Sequence, residues 1–431
     1  MVSKNLKGKT VQVIFISVLI VIGLFLVFYP DKKIEIWNKN SSRETLIAID
    51  EESTKALTTR TTVNQFFPPD IEFQKQLDDP PKAVKAIYLT GWSGGNEAKI
   101  KQVINLARTG KINAVVIDIK DFSGKISYNT SVKETGEYGA EEAKIPRINT
   151  LIKRLHDEKI YVIARQAVFQ DQVLAISKPE LAVKSVKLSQ VATVSQDNSE
   201  GKPSASYGAS IWRDYKGLAW IDPAASESWN YNIKIAKDAW SHGFDEINFD
   251  YIRFPTDGDL NDRLFPFWDG KRLMSLVMRD FYKEIRRQMP DARLSIDLFG
   301  LAAVTFYDFG VGQMIEDAFE YFDFVSPMLY PSHFPLTFLS GSPTEERKPA
   351  EYPYEVVRKS MDTALIRLRN SGSNSSLRPW LQDFDLGADY DAEKVKAQIQ
   401  AVIDSFGGEG SDDYRGFMLW NPVNVYTEDA L

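Results

Sequence analysis

From residue 82 onward, short apolar runs alternate with segments whose apolar positions recur at helical spacing. Eight runs have the length and the β-branched or aromatic character of strands: 86–89, 114–118, 161–164, 246–251, 294–297, 324–328, 379–382 and 416–420. Seven amphipathic stretches lie between them, at 97–109, 148–158, 228–241, 272–289, 311–321, 354–370 and 392–406. Strict alternation predicts parallel strands joined by crossover helices, and eight repeats predict closure into an α/β fold of the (β/α)8 TIM-barrel type. The last helix is weak or absent in 421–431. A doubly wound open sheet is the competing fold, but no glycine-rich phosphate turn follows the first strand. Trp92-Ser93-Gly94-Gly95-Asn96 opens a helix and is too short for that role.

Four connections are long, at 121–147, 169–227, 253–271 and 330–352. All leave the C-terminal ends of their strands, the face on which barrel enzymes build their sites. Within the second of them, 183–209 is rich in Ser, Lys, Gly and Gln and reads as an excursion or a small hairpin.

The N-terminal pattern is different. Residues 11–29 form an almost unbroken apolar run of the roughly 20 residues that cross a bilayer. Lys4, Lys7 and Lys9 precede it, which places that end in the cytoplasm. No small-residue cleavage pattern follows, so an uncleaved signal anchor is expected. The organisation predicted is a cytoplasmic tip and transmembrane anchor at 1–30 and a polar linker or stalk at 31–81. The barrel follows at 82–431, on the extracytoplasmic side of the cell membrane.

Bulk properties narrow the chemistry. A net charge of −7 disfavours a nucleic-acid partner. The chain has no cysteine, which excludes disulfides, thiolate metal sites and a Cys nucleophile. His156, His242 and His333 are its three histidines and have no ligand spacing, so neither a metal nor another cofactor is expected. No nucleophile elbow of the Gly-x-Ser-x-Gly type and no Gly-x-x-x-x-Gly-Lys phosphate loop occurs.

Carboxylates are the candidates that survive. At strand period Glu246, Asn248 and Asp250 share one face and Ile247, Phe249 and Tyr251 the other, so the polar set points into the barrel. Asp250 lies where this strand meets its loop. Asp297 shows the same alternation at the end of the fifth strand. Asp118 ends the second and is either a site residue or a partner of Lys120; Asp383 follows the seventh. An Asp at a strand end is more often a loop or cap residue than a catalyst, and Asp245 and Asp323, at strand starts, read as structural. Carboxyl groups converging at one mouth separate their pKa values, so one can hold a proton while another stays charged. Glycosidic bond cleavage needs that pairing.

Aromatic residues make up 12% of the chain and suit sugar faces. Trp92, Tyr128, Trp212, Trp220, Tyr251, Phe254, Tyr330 and Trp420 lie at strand ends or on the connections, while Trp240 reads as core. Arg165, Arg253 and Asn421, with the inward Asn248 and Gln382, are candidates for binding sugar hydroxyls.

The run Gly243-Phe244-Asp245-Glu246-Ile247-Asn248-Phe249-Asp250-Tyr251-Ile252-Arg253-Phe254-Pro255 resembles the signature of a bacterial family, the putative glycosyl hydrolase domain family, formerly a domain of unknown function. Residues 85–90, 113–121 and 323–333 support the likeness, which covers 82–422. The resemblance implies a TIM-barrel relative of the α-amylase-like glycosidases. It implies an Asp nucleophile on the fourth strand, which falls on Asp250. The acid of the fifth strand, usually Glu, would be Asp297, one methylene shorter; the stabilising Asp of the seventh would be Asp383. The expected protein is a membrane-anchored glycoside hydrolase that cleaves a cell-surface or matrix polysaccharide with retention of configuration. Two alternatives stay open: a carbohydrate-binding or scaffold protein without turnover, and a metal-dependent sugar deacetylase, which the few histidines disfavour.

Overall fold

Period-two alternation on parallel strands divides the apolar residues into two cores. The computed structural model, which describes residues 68–187, 211–340 and 347–431, has strands β1 Val84–Leu89, β2 Ala114–Lys120, β3 Tyr161–Ala167 and β4 Glu246–Asp250. They continue with β5 Leu294–Phe299, β6 Phe324–Met328, a two-part β7 (Ser376–Leu377 and Trp380–Gln382) and β8 Gly416–Trp420. Each pairs in parallel with the next, and β8 pairs with β1 from Val84↔Gly416 onward, so the sheet closes. The open-sheet alternative is thereby removed and the fold is an eight-stranded TIM barrel. β7 is interrupted because Pro379 has no N–H to give the ladder.

The helices are α1 Glu97–Arg108, α2 Ile148–Asp157, α3 Ser226–His242, α4 Met274–Gln288, α5 Ile315–Tyr321, α6 Pro353–Ser371 and α7 Ala392–Ser405. Asn96 caps α1 by accepting from the Lys99 N–H, and Asp391 caps α7 in the same way. α5 starts later than periodicity predicts. Gln313 is held instead by the Phe299 N–H and the Ile252 carbonyl, which tie this stretch to the loops after β4 and β5. After β8 only a short 3₁₀ turn, Glu428–Ala430, takes the place of an eighth helix.

Outward residues such as Ile117, Ile247, Phe249, Ile296 and Leu381 join the helices in the larger core. Inward residues Val84, Ala86, Tyr88, Ala114, Val116, Tyr161, Ile163, Trp380 and Met418 fill the barrel in a smaller one. The inner core is incomplete on β4, where Glu246 and Asn248 are fully buried and polar. Glu246 is satisfied by an ion pair to Arg378 and by the Tyr161 hydroxyl at 3.1 Å.

Part of the expected stalk is docked on the barrel. Asp70 accepts from the Asn149 and Thr150 N–H groups at the start of α2, and the Gln74 N–H donates to the His242 carbonyl that ends α3. Gly243 then turns the chain at φ 103°, and a Cβ there would meet the Gln74 carbonyl at 2.7 Å. Asp245 accepts from the Leu77 and Val162 N–H groups, and Asp323 from the Leu294 N–H, so both act structurally. Lys184–Ser185 pairs antiparallel with Arg263–Leu264, joining the loops after β3 and β4. The rest of the expected excursion, 188–209, lies outside the described residues, as does the apolar run 11–29. Among the described residues no helix is long and apolar enough to cross a membrane.

The Glu246–Arg378 pair sits beneath the site layer with both side chains out of contact with water. Removing one partner strands a buried charge, so Glu246→Gln is expected to cost about 3–5 kcal/mol. Urea unfolding measures it; a midpoint equal to wild type would refute the assignment.

Candidate active site

β2, β3, β4 and β5 each bring one charged side chain into the same layer of the barrel. Arg165, on β3, stands at the centre. Its Nη1 donates to Asp118 Oδ1 at 2.6 Å, its Nη2 pairs with Asp250 Oδ2, and its Nε lies 3.7 Å from Asp297 Oδ2. All four are buried, with Asp250 the most exposed at 7%. The remaining Asp118 oxygen accepts from the Tyr88 hydroxyl at 2.5 Å. The remaining Asp250 oxygen accepts from the N–H of Tyr251, a non-glycine residue held at φ 53°. That left-handed turn ends the alternation of β4 and leaves Asp250 as its last inward residue.

Asp297 is arranged differently. Its Oδ1 accepts from Asn248 Nδ2 at 2.9 Å and from Trp380 Nε1 at 2.7 Å. Among the described residues its Oδ2 has no donor at hydrogen-bonding distance, and Arg165 Nε is a buried N–H without an acceptor. Burial first, then the Asp250 charge, pushes the Asp297 carboxyl up to about 8, against the pull of Arg165. Three ionised carboxyls around one guanidinium would leave two uncompensated charges out of water, and a proton on Asp297 removes one. With Oδ1 taken by two donors, that proton belongs on Oδ2. Burial also raises Asp118, although Arg165 and Tyr88 oppose it. Arg165 itself is held charged: burial works against it most, but Asp118, Asp250, Tyr88 and Asp297 together outweigh burial.

Aromatic rings wall the group. Tyr88 stacks on Trp420 with centroids 3.9 Å apart, Trp380 meets both edge-on, and Trp420 lies 4.8 Å from the Arg165 guanidinium carbon. Tyr330, after β6, is buried and has its hydroxyl pushed up by burial and then by Asp297 and Asp250.

Other sequence candidates fall elsewhere. Asp383 accepts from the Thr427 N–H and hydroxyl, at 2.9 and 2.7 Å, and makes no hydrogen bond or ion pair to the other three carboxyls. It fastens the chain just after β7 to the C-terminal segment: its backbone N–H still donates to the Trp420 carbonyl of β8, but its side chain turns to Thr427. Asn421 donates to the Asp383 carbonyl, and Gln382 binds Ser332 and the Phe384 carbonyl, so both amides are engaged in loop contacts. Arg253 pairs with Asp257 at 2.6 Å and packs over Trp220 and Phe299 rather than joining the cluster. Lys120 pairs with Asp171, not Asp118, because the β2 register shifts between Asp118 and Lys120.

Tyr128, Trp212, Trp220 and Phe254 are fully buried loop supports, and Tyr251 packs edge-on against Trp220. Trp92 is 65% exposed, beside Lys144, and Trp240 packs against the core. Tyr88 and Trp380 touch the carboxyls without having been singled out in the sequence. Tyr88 was accessible to the criterion that selected Asp250, being an inward residue near a strand end. Trp380 was not, because indole N–H bonding depends on the facing strand.

Among the described residues no group of three or more His, Asp or Glu side chains is arranged to hold a metal ion. An open cleft of about 430 Å³ lies on the barrel flank, between residues 131–134 and α3, and shares no residue with the carboxyl cluster.

None of the curated proteins matches the chain significantly. A solved hypothetical protein from Ruminiclostridium thermocellum ATCC 27405 is similar at 37% identity, over 49% of this chain and 96% of its own, with a TM-score of 0.41. The endo-1,4-β-mannanase from Rhizomucor miehei is similar at 10% identity, over 84% of this chain and 94% of its own, with a TM-score of 0.46. The α-galactosidase TtGalA from Thermus thermophilus, in complex with stachyose, is similar at 12% identity over 83% and 65%, with a TM-score of 0.45. The sequence model of a family described as putative glycosyl hydrolase domain matches residues 86–426, nearly the whole barrel, and the chain belongs to that family.

Proposed function

We propose that this protein is a glycoside hydrolase in which Asp250 is the nucleophile and Asp297 the general acid. The observation that carries the reading is the unequal environment of two carboxyls at one mouth. Asp250 is paired with a guanidinium, while Asp297 has a free oxygen and a proton favoured by burial. In the first step the Asp250 carboxylate forms a bond to the anomeric carbon as the glycosidic C–O bond breaks. The electron pair of that bond goes to the leaving oxygen, which takes the proton from Asp297 Oδ2. In the second step Asp297, now a carboxylate, takes a proton from water; the water oxygen replaces Asp250 at the anomeric carbon and both aspartates return to their starting state.

Retention is favoured because both carboxyls reach neighbouring nitrogens of one guanidinium, which suits the roughly 5–5.5 Å separation of retaining enzymes better than the wider spacing of inverting ones. Asp118 acts as a stabiliser through Arg165. Tyr88, Trp420 and Tyr330 offer ring faces for a sugar. The apolar run at 11–29, with lysines before it, supports a single-pass anchor that holds the barrel on the outer side of the membrane. A cell-surface or matrix polysaccharide is the substrate class that such an anchor would present to the site.

Two outcomes are expected of the purified full-length protein on a glycan panel. Asp250→Asn, folded as judged by circular dichroism, should lose at least the roughly 10²–10⁴-fold associated with a missing acid or base. Binding without product in wild type, measured by titration calorimetry beside a reducing-end assay, would instead identify a non-catalytic carbohydrate-binding protein. Asp297→Asn should slow natural substrates by roughly 10²–10⁴-fold, and much less those with activated aryl leaving groups that need no proton. An equal loss on both substrates contradicts its role as the acid.

The pH dependence follows from the raised carboxyl. Asp297 must be protonated to act and holds its proton below about 8, so kcat/KM should fall as pH rises through about 8. A rate that stays flat to pH 10 rules Asp297 out. The anomer released first, followed by NMR, should match the substrate; the opposite anomer would show inversion.

A further inference from the structure

Arg165 was a candidate for binding sugar hydroxyls, but its side chain is 6% exposed and faces protein carboxyls on three sides. Every nitrogen of its guanidinium has a defined situation. Nη1 serves Asp118, Nη2 serves Asp250, and Nε is buried, has no acceptor among the described residues, and lies 3.7 Å from Asp297 Oδ2. Trp420 and Tyr88 cover its face, with centroids 4.8 and 5.4 Å from the guanidinium carbon. A buried N–H without an acceptor costs free energy of about 1–3 kcal/mol, so its persistence here calls for a state in which it is used.

We propose that Arg165 is a positioning residue that follows the proton through the reaction: it holds Asp250 as an anion before bond cleavage and takes up Asp297 Oδ2 on its free Nε–H once Asp297 has given its proton away. This rests on the acid and nucleophile assignments above and adds a reason why the two aspartates need the same partner. When Asp297 protonates the leaving oxygen, its new charge appears on the oxygen that faces Nε. At the same moment Asp250 becomes an ester and loses its charge. The guanidinium therefore exchanges one anion for the other and the net charge of the cluster does not change, so the cost of moving charge in a dry site is avoided. A small rotation of Asp297 closes the remaining gap. Asp118 stays paired throughout and prevents Arg165 from swinging away.

The groups facing this guanidinium are Asp118 on β2, Asp250 on β4, Asp297 on β5 and Tyr88 on β1; the hydroxyls of Tyr251 and Tyr330 lie within its field. Among them Arg165 is the sole cation in direct contact with the described carboxyls, so removing its charge acts on both catalytic aspartates in the same direction.

The test compares Arg165→Gln and Arg165→Lys in the full-length protein. Carboxyl titrations followed by ¹³C NMR on Asp-labelled protein need no substrate, with signals assigned by their loss in Asp250→Asn and Asp297→Asn. In Arg165→Gln both aspartates should hold their protons at least tenfold more tightly, and both limbs of the kcat/KM profile should move to higher pH. In Arg165→Lys, a point charge that cannot serve two aspartates at once, the Asp297 titration should still move up while that of Asp250 stays near wild type. If Arg165→Gln does not fold, the Lys variant decides alone: an unmoved Asp297 refutes the proposal. Titrations unchanged in a folded Gln variant, with KM alone increased, would restore the hydroxyl-binding role and overturn the proposal. Shifted titrations in a protein that hydrolyses no glycan would leave the charge coupling standing and defeat the hydrolase reading instead.

Discussion

One guanidinium has to serve three carboxyl groups inside a barrel that admits little water. That imbalance governs the site layer. Arg165 can neutralise one unit of charge, so the cluster is tolerable only if protons are retained or if the surrounding dipoles compensate. The structure does both. Asp118 and Asp250 share the cation and take extra donors from Tyr88 and the Tyr251 N–H, while Asp297, farthest from Arg165, has its protonated form favoured. Two chemically identical side chains thereby sit in unequal environments: Asp250 is paired with the guanidinium, while burial and the neighbouring Asp250 favour a proton on Asp297.

The scaffold supplies this at a distance. Inward positions on β1 and β8 carry Tyr88 and Trp420, whose rings lie against the guanidinium and limit its rotamers. β7 brings Trp380 across the barrel to Asp297 Oδ1, which selects the oxygen left to carry a proton. Below this layer the Glu246–Arg378 pair repeats the motif of a buried acid with a buried base, but there the charges match one to one and every Glu246 oxygen is engaged. The contrast lies between a matched and an unmatched set of buried charges on the same strand. Glu246 and Asp250 both point inward on β4, yet only the layer of Asp250 holds more carboxyls than cations.

The order of strands and helices was legible along the chain because both periods are strong: two on the strands, near 3.6 on the helices. Departures have local causes. Pro379 splits β7 by withholding a donor, and Gln313 delays α5 by bonding to neighbouring loops. Within the site, alternation on β4 and β5 pointed to Asp250 and Asp297 as inward residues, and the family resemblance pointed to the same two. It also pointed to Asp383, which the fold spends on a loop fastening with Thr427. Position relative to a strand end could not separate these cases, since β7 is short and ends one residue before Asp383.

Local pattern alone therefore established the elements and the inward faces of β4 and β5, because these depend on neighbours two to four residues apart, and composition alone excluded thiol chemistry. The partners of each charge did not follow from it. Arg165 reads in sequence as a hydroxyl-binding candidate at a strand end, and nothing within ten residues of it announces Asp250 or Asp297, 85 positions away in the first case. Barrel closure and the stagger of the strands decide which inward side chains share a layer, and the number of carboxyls in that layer, set against one guanidinium, decides where a proton stays.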